Sequence, residues 1–191
     1  PSQNSRLIEF SKEKSFESVH IPFGGLQLLA SFKLFLWLRK NKVDLIHTHT
    51  AKAHTVAVWA NFLGAKTSIV VSKRTDFKVK TPYKFHYKYV KAILCVSNMI
   101  EKITKDGLHP KRKELVKTVH SGVDVNRFDS IKQISLKEKF QIPKNKVLIG
   151  NCSAIAPHKD YETFIDTAQV LNEQYPELFH FIIIGDGPDK E

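Results

Sequence analysis

VDLIHTHTAKAHTVAVWANFLGAKTSIVVS, residues 43–72, decides the fold. A short apolar run (43–49), a segment with helical spacing (51–63) and a second short apolar run (67–72) follow one another without a long loop. Strands that are short and continuously apolar suit a parallel sheet covered on both faces, and a helix between two of them supplies the crossover that parallel pairing requires. The pattern continues outward. AILCVS (92–97), LVKTVH (115–120), KVLIGNCS (146–153) and FHFIIIG (179–185) read as further strands, and segments 26–40, 82–90, 98–106 and 160–175 have helical spacing. The chain therefore reads as α/β, with doubly wound parallel sheets.

In such sheets ligands gather beyond the carboxyl ends of the strands. The polar and glycine-bearing residues that break the apolar pattern fall there: His47 and His49, Ser72 to Asp76, Ser97, His120 to Asp124, Ser153 to Lys159, and Gly185 to Pro188. One site lined by these loops is the economical expectation. Around residues 129–146 the chain turns polar and carries Pro143, so a domain boundary is expected near 143, giving a domain over 1–143 and the start of another over 144–191. One helix and two strands after that point are too little to close a core alone.

Composition narrows the classes. Apolar residues make up 42% of the 191, enough for a real core. The greasiest segment, LQLLASFKLFLWL from Leu26 to Leu38, is interrupted by Lys33 and falls short of the ~18 uncharged apolar residues that cross a bilayer. A helix apolar all round reads as buried, with docking on an anionic membrane as the alternative. Cys95 and Cys152 lie in apolar runs and read as buried, reduced thiols, which together with the lack of a signal-like segment favours the cytoplasm. Residues 1–130 carry a net +13 and residues 131–191 a net −2. The basic part would attract anionic lipid, nucleic acid or phosphorylated ligands, or is a solvated lysine-rich surface. Tyr83, Phe85, Tyr87 and Tyr89, interleaved with Lys84, Lys88 and Lys91, read first as an exposed helix.

Three local motifs bear on chemistry. HSGVD (120–124) reads as a turn, with Gly122 for close backbone approach and Asp124 bonding the loop's own amides. In SAIAPHKDYETF (153–164) Asp160 sits where a helix N-cap would, with Lys159 beside it, an arrangement suited to a phosphate or simply a capped helix with a surface lysine. IIIGDGPDK (182–190) sets Gly185 and Gly187 directly after a strand, a weaker signal than a dinucleotide fingerprint; neither that fingerprint nor a P-loop is present.

Together, DLIHTHTAKAH, IVVSKRTDF, AILCVSNMIEKI, VHSGVDVNRF, the HKD of APHKDYETFIDTA, and IIIGDGP resemble, in this order, the group 1 glycosyltransferases, retaining family 4 with the GT-B fold. The resemblance runs over about residues 20–190 and implies two Rossmann-like domains, the first for acceptor and the second for a nucleotide-sugar donor. It implies that both ends are cuts in a longer protein. The opening strand and glycine-rich loop would lie before Pro1 and a pair of glutamates seven apart beyond Glu191, so the chain alone is expected to be inactive.

Residue by residue, Lys159 matches the family's donor-diphosphate lysine, whereas the usual arginine falls on Ala154. Gly185 and Gly187 match the turn near the nucleotide, with Ser153 beside them. Where many members carry a histidine, this chain has Lys73 and Arg74, followed by Thr75 and Asp76. The implied catalytic set is Lys159, Arg74 and Asp76, and the implied cleft set is His47, His49, Ser97, Gly122 and Asp124. No metal or other cofactor is expected, because fixed cations and a helix N-terminus can stabilise the leaving diphosphate. The implied partners are the nucleotide sugar and a glycan or lipid-linked acceptor. Contact with the anionic inner face of a membrane is a further expectation; nucleic acid is not expected.

Two rivals stand beside this reading. One is a non-catalytic basic module for polyanions or anionic lipid. The other is a metal-dependent hydrolase, in which His47 and His49 would open a zinc site; it is disfavoured because only His120 and Asp124 could complete the ligand set and a barrel needs over ~200 residues. The two histidines otherwise read as strand-closing groups or as cleft-lining groups.

Overall fold

The computed structural model describes residues 11, 21, 27–129, 131, 132 and 134–190. Leu26, the expected start of the apolar helix, lies outside them. The chain forms two compact units that divide between Val123 and Asp124, so the polar segment 124–143 goes with the second.

The first unit is built on a sheet of four parallel strands in the order β1 (Leu45–Thr48), β2 (Ser68–Lys73), β3 (Val90–Cys95), β4 (Val116–Thr118). The register aligns Thr48 with Val71, Lys73 with Cys95, and Cys95 with Thr118, so the residues after each strand emerge along one edge. A shift between Ile69 and Val70 leaves Lys91 unpaired in the β2–β3 ladder. Ile69, Val71, Val90, Ile93 and Cys95 are buried, together with Ala57 and Val58 from α2 (Ala51–Phe62) and Ile100 from α4 (Asn98–Asp106). Removing each large side chain from water contributes about 1.5–3 kcal/mol. Burial also pushes the Cys95 thiol pKa up, against a hydrogen bond with Thr104 that lowers it.

Local signals set the turns. Helix α2 starts on Thr50, whose hydroxyl accepts from the Ala53 amide at 3.1 Å, and ends in a Schellman motif. There Ala65 N donates to Ala60 O and Gly64 N to Asn61 O, with Gly64 at φ 106°, a region open to glycine at little cost. The side chain of buried Asn61 then accepts from the Thr67 amide at 2.7 Å, tying the helix end to the entry of β2.

Two expectations need correction. Helix α1 (Gln27–Lys40) buries Ala30, Ser31 and Leu38 but leaves Leu28, Leu29, Phe32 and Leu36 exposed; among the described residues its main packing partner is α2. The segment expected as one exposed helix over 82–90 is instead α3 (Pro82–His86) followed by β3 from Val90, with Lys84 and Phe85 buried. Arg112 explains the break. Its guanidinium donates to the carbonyls of Phe85, Tyr87 and Val90 at 2.9–3.3 Å, taking among them the Phe85 carbonyl that a longer helix would offer to the Tyr89 amide.

The second unit has two parallel strands, β5 (Val147–Cys152) and β6 (Phe179–Ile184), crossed over by helix α5 (Tyr161–Gln174). Its strands are half-buried or exposed throughout, and Cys152 is exposed, not buried as expected, since one helix over two strands covers little of the sheet.

Candidate functional site

In the first unit, the loops after β1 and β2, the start of α2 and the segment through α3 enclose a cavity of about 470 Å³. Val71, Phe77, Val79 and Phe85 give it apolar walls, while Lys73, Arg74, Lys78, Lys80 and Lys84 supply five cations, and no carboxylate among the described residues lines it. Helix α2 directs its N-terminus here through Thr50 and Ala51, adding partial positive charge.

Two lining groups are buried and under-partnered. Lys84 is 9% exposed, and its ammonium has one hydrogen bond, to Thr55 Oγ1 at 2.9 Å, with no carboxylate partner among the described residues. Burial lowers its pKa. His54 is 1% exposed, packs edge-on against Phe85 at 4.8 Å, and leaves Nε2 without a hydrogen-bond partner. Burial, and then the charge of Lys84, push the imidazole down to about 4 despite a hydrogen bond with the Lys84 backbone. His54 is therefore neutral near pH 7. Lys73, lowered by burial against the pull of Cys95 and Asp76, donates to the carbonyls of Thr75 and Phe77 and thereby folds the loop after β2 over the cavity.

Among the expected residues, His49 and Arg74 line this cavity. His47 is beside it, stacked on His49 at 4.2 Å between ring centres and bonded through Nε2 to Ser72 Oγ at 2.8 Å. Burial, then the neighbouring His49, lower its pKa. Asp76 is exposed and is not among the lining residues. Ser97 caps α4, accepting from the Ile100 amide at 3.3 Å. Gly122 and Asp124 lie on exposed loop backbone, and nothing would meet a Cβ at Gly122. Among the described residues no three His, Cys, Asp or Glu side chains converge as metal ligands.

The second unit gathers Ser153, Lys159, Gly185 and Gly187 at the carboxyl ends of β5 and β6. A 3-10 turn over Pro157–Lys159 leads to Asp160, which adopts φ 53° and caps α5 by accepting from Thr163 N at 3.4 Å. The Lys159 side chain has no hydrogen-bond or ion-pair partner among the described residues and borders a cavity of about 430 Å³ between α5 and the strands. Ser153 Oγ and Tyr161 Oη lie 3.0 Å apart, fixing the start of α5 against the end of β5. The two glycines have a packing reason. A Cβ on Gly185 would overlap the Ser153 carbonyl and one on Gly187 the Ile155 backbone, because the two strand-end loops bond directly, Ile155 N to Asp186 O at 3.0 Å.

His54, Lys84 and Arg112 are absent from the sequence-derived set. The third histidine of HTHTAKAH was visible, but nothing local distinguishes a buried imidazole from an exposed one. Lys84 was masked by its lysine-rich, aromatic surroundings.

The comparisons with known proteins agree with this architecture. Residues 7–127 match the profile of glycosyltransferase family 4. An Escherichia coli UDP-Gal:α-D-GlcNAc-diphosphoundecaprenol α-1,3-galactosyltransferase is 27% identical over 177 residues, covering 84% of this chain and 44% of the relative, so the chain spans less than half of that protein. Among solved structures, a glycosyltransferase from Rickettsia africae ESF-5 superposes with a TM-score of 0.67 at 13% identity, over 97% of this chain and 59% of its own. A UDP-N-acetylglucosamine 2-epimerase from Rickettsia bellii gives 0.50 at 17% identity, over 95% and 52%. These two likenesses establish a Rossmann-like GT-B fold, and with the profile covering most of its length the chain belongs to glycosyltransferase family 4.

Proposed function

We propose that this protein transfers a sugar from a nucleotide-diphosphate donor to a hydroxyl of a lipid-linked glycan acceptor, with retention at the anomeric carbon, in cell-envelope polysaccharide or lipopolysaccharide assembly. The observation that carries this reading is family membership, supported by a relative that glycosylates a diphosphoundecaprenol-linked sugar. The first unit serves the acceptor and the second the donor.

In the reaction the bond from the anomeric carbon to the donor phosphate breaks, a bond to the acceptor oxygen forms on the same face, and the nucleoside diphosphate leaves with added negative charge. Lys159, without a partner among the described residues and beside the 14-residue helix α5, stabilises that charge together with the helix N-terminus. Gly185 and Gly187 hold the loop after β6 tight against Ser153 and Ile155, giving the nucleotide a fixed backbone surface. Arg74 and Asp76 act from the loop after β2, and His47, His49, Ser97, Gly122 and Asp124 belong to the acceptor side. Because fixed cations meet the diphosphate, transfer proceeds without a metal ion, and a chelator leaves the rate unchanged. The protein works in the cytoplasm against the inner membrane face.

The test is sugar transfer by the full-length protein. Lys159→Ala is expected to reduce turnover by at least ~100-fold, the scale of losing a charged contact to a leaving group. Unchanged turnover removes the role given to Lys159. The +13 of residues 1–130 favours a second reading, a polyanion-binding module without catalysis. Steeply salt-dependent binding to unrelated polyanions, with no nucleotide-sugar preference and no transfer, decides for it.

A further inference from the structure

We infer that the cavity of the first unit is a diphosphate subsite for the acceptor, in which Lys84 and the N-terminus of α2 hold the phosphates while Val71, Phe77, Val79 and Phe85 take the first carbons of the attached lipid. The inference rests on the functional reading above for the acceptor's identity, but the anion site itself stands on geometry.

Lys84 is the leading observation. A buried ammonium without a counter-ion is costly, and proteins ordinarily pair or neutralise such a group. Its one partner, Thr55 Oγ1, leaves two of its three N–H donors without a partner among the described residues. The nearby charges do not relieve it. The other cavity-lining charged groups, Lys73, Arg74, Lys78 and Lys80, are all cations, and the carboxylate of Asp76 acts on Lys73 from outside the lining.

Neutral His54 hydrogen-bonds the Lys84 backbone and lines the same cavity, so it helps to position the ammonium without adding a charge. The α2 N-terminus is a second observation at the same wall. Thr50 satisfies Ala53 N through its side chain and His54 N through its carbonyl, leaving the amides of Ala51 and Lys52 to face an anion.

The chemistry of the walls then selects the kind of anion. A free inorganic phosphate needs no apolar wall. The phosphates of a nucleotide would bring a ribose and base, polar groups with few partners among Val71, Phe77, Val79 and Phe85. A diphosphate ester of a hydrocarbon chain uses both the cations and the apolar side.

The test compares two acceptors of the full-length enzyme, one sugar carried on a short-chain lipid diphosphate and the same sugar on a neutral alkyl group. Lys84→Met, which keeps the bulk and removes the charge, is expected to raise KM for the diphosphate acceptor at least tenfold with kcat nearly unchanged. KM for the neutral acceptor should stay the same, and Lys84→Arg should restore part of the loss. Equal effects on both acceptors, or no effect on either, overturn the inference. Should Lys84→Met fail to fold, Lys78→Ala combined with Lys80→Ala, both at exposed positions, carries the same comparison with an expected threefold or greater change. Calorimetric titration of inorganic pyrophosphate in a Lys159→Ala background separates the two readings. Binding that Lys84→Met abolishes, when full-length protein with Lys159 intact transfers no sugar, overturns the functional reading and leaves the anion site standing; no binding overturns the site.

Discussion

The two units use the same strand–helix–strand grammar and solve different problems with it. In the first, four parallel strands and their helices bury Ile69, Val90 and Ile93 completely and shelter two polar groups, His54 and Lys84, within the same packing. In the second, two strands and one helix leave Ile183 and Ile184 exposed at 40% and 44%, and Lys159 stands in the open. A deep core can hold an awkward charge in place at the expense of stability; a thin one keeps its cation on a tight turn instead. The difference teaches that chemistry in the first unit depends on packing, and chemistry in the second depends on backbone geometry.

Substitutions can break that contrast. The largest effect on stability is expected from Ile93→Ala, about 4 kcal/mol by urea unfolding, whereas Ile183→Ala should cost under ~1 kcal/mol. Equal losses would erase the difference in depth. Next comes pH. The folded pKa of His54, about 4, lies below its ordinary 6.5, so between these values the unfolded chain binds a proton that the folded chain refuses. Stability is unaffected above about pH 6.5 and falls as pH drops toward 4, by roughly 3 kcal/mol in total. Unfolding titrations at pH 7 and pH 4.5 should show this slope, and His54→Leu should flatten it. Gly187→Ala comes third, at about 2 kcal/mol, because the added methyl meets Ile155 backbone that cannot retreat without opening the β5–β6 loop pair. The smallest is Ser97→Ala, about 1 kcal/mol for a lost N-cap with transfer activity retained; a large activity loss at wild-type stability would return Ser97 to the site.

Most of the fold was legible in the sequence because its strands are short apolar runs and its helices carry their own punctuation. The helical spacing over 51–63 matches α2, and Asp160 marked the start of α5. The segment from Tyr83 to Val90 was misread because local spacing there suits a helix, while the deciding contacts come from Arg112, more than 20 positions away. The site was legible where it depends on strand ends: His47, His49, Arg74 and Lys159 all fall at such ends. Lys84 and His54 were not legible as a pair, since their burial depends on α3 lying against α2. Gly185 and Gly187 were readable as points of close approach, but the neighbour is protein backbone.

Arg112 has a consequence for evolution of the site. Its guanidinium grips three carbonyls of the strip from Phe85 to Val90, and burial lowers its own pKa, so the residue is committed to that strip. The wall carrying Lys84 and Phe85 is thereby clamped by the segment that precedes β4, independently of the loop that carries Arg74, Lys78 and Lys80. Under the proposed function, exchanges in that loop can retune which acceptor is preferred while the anchoring ammonium keeps its address, so specificity and anchoring can drift separately.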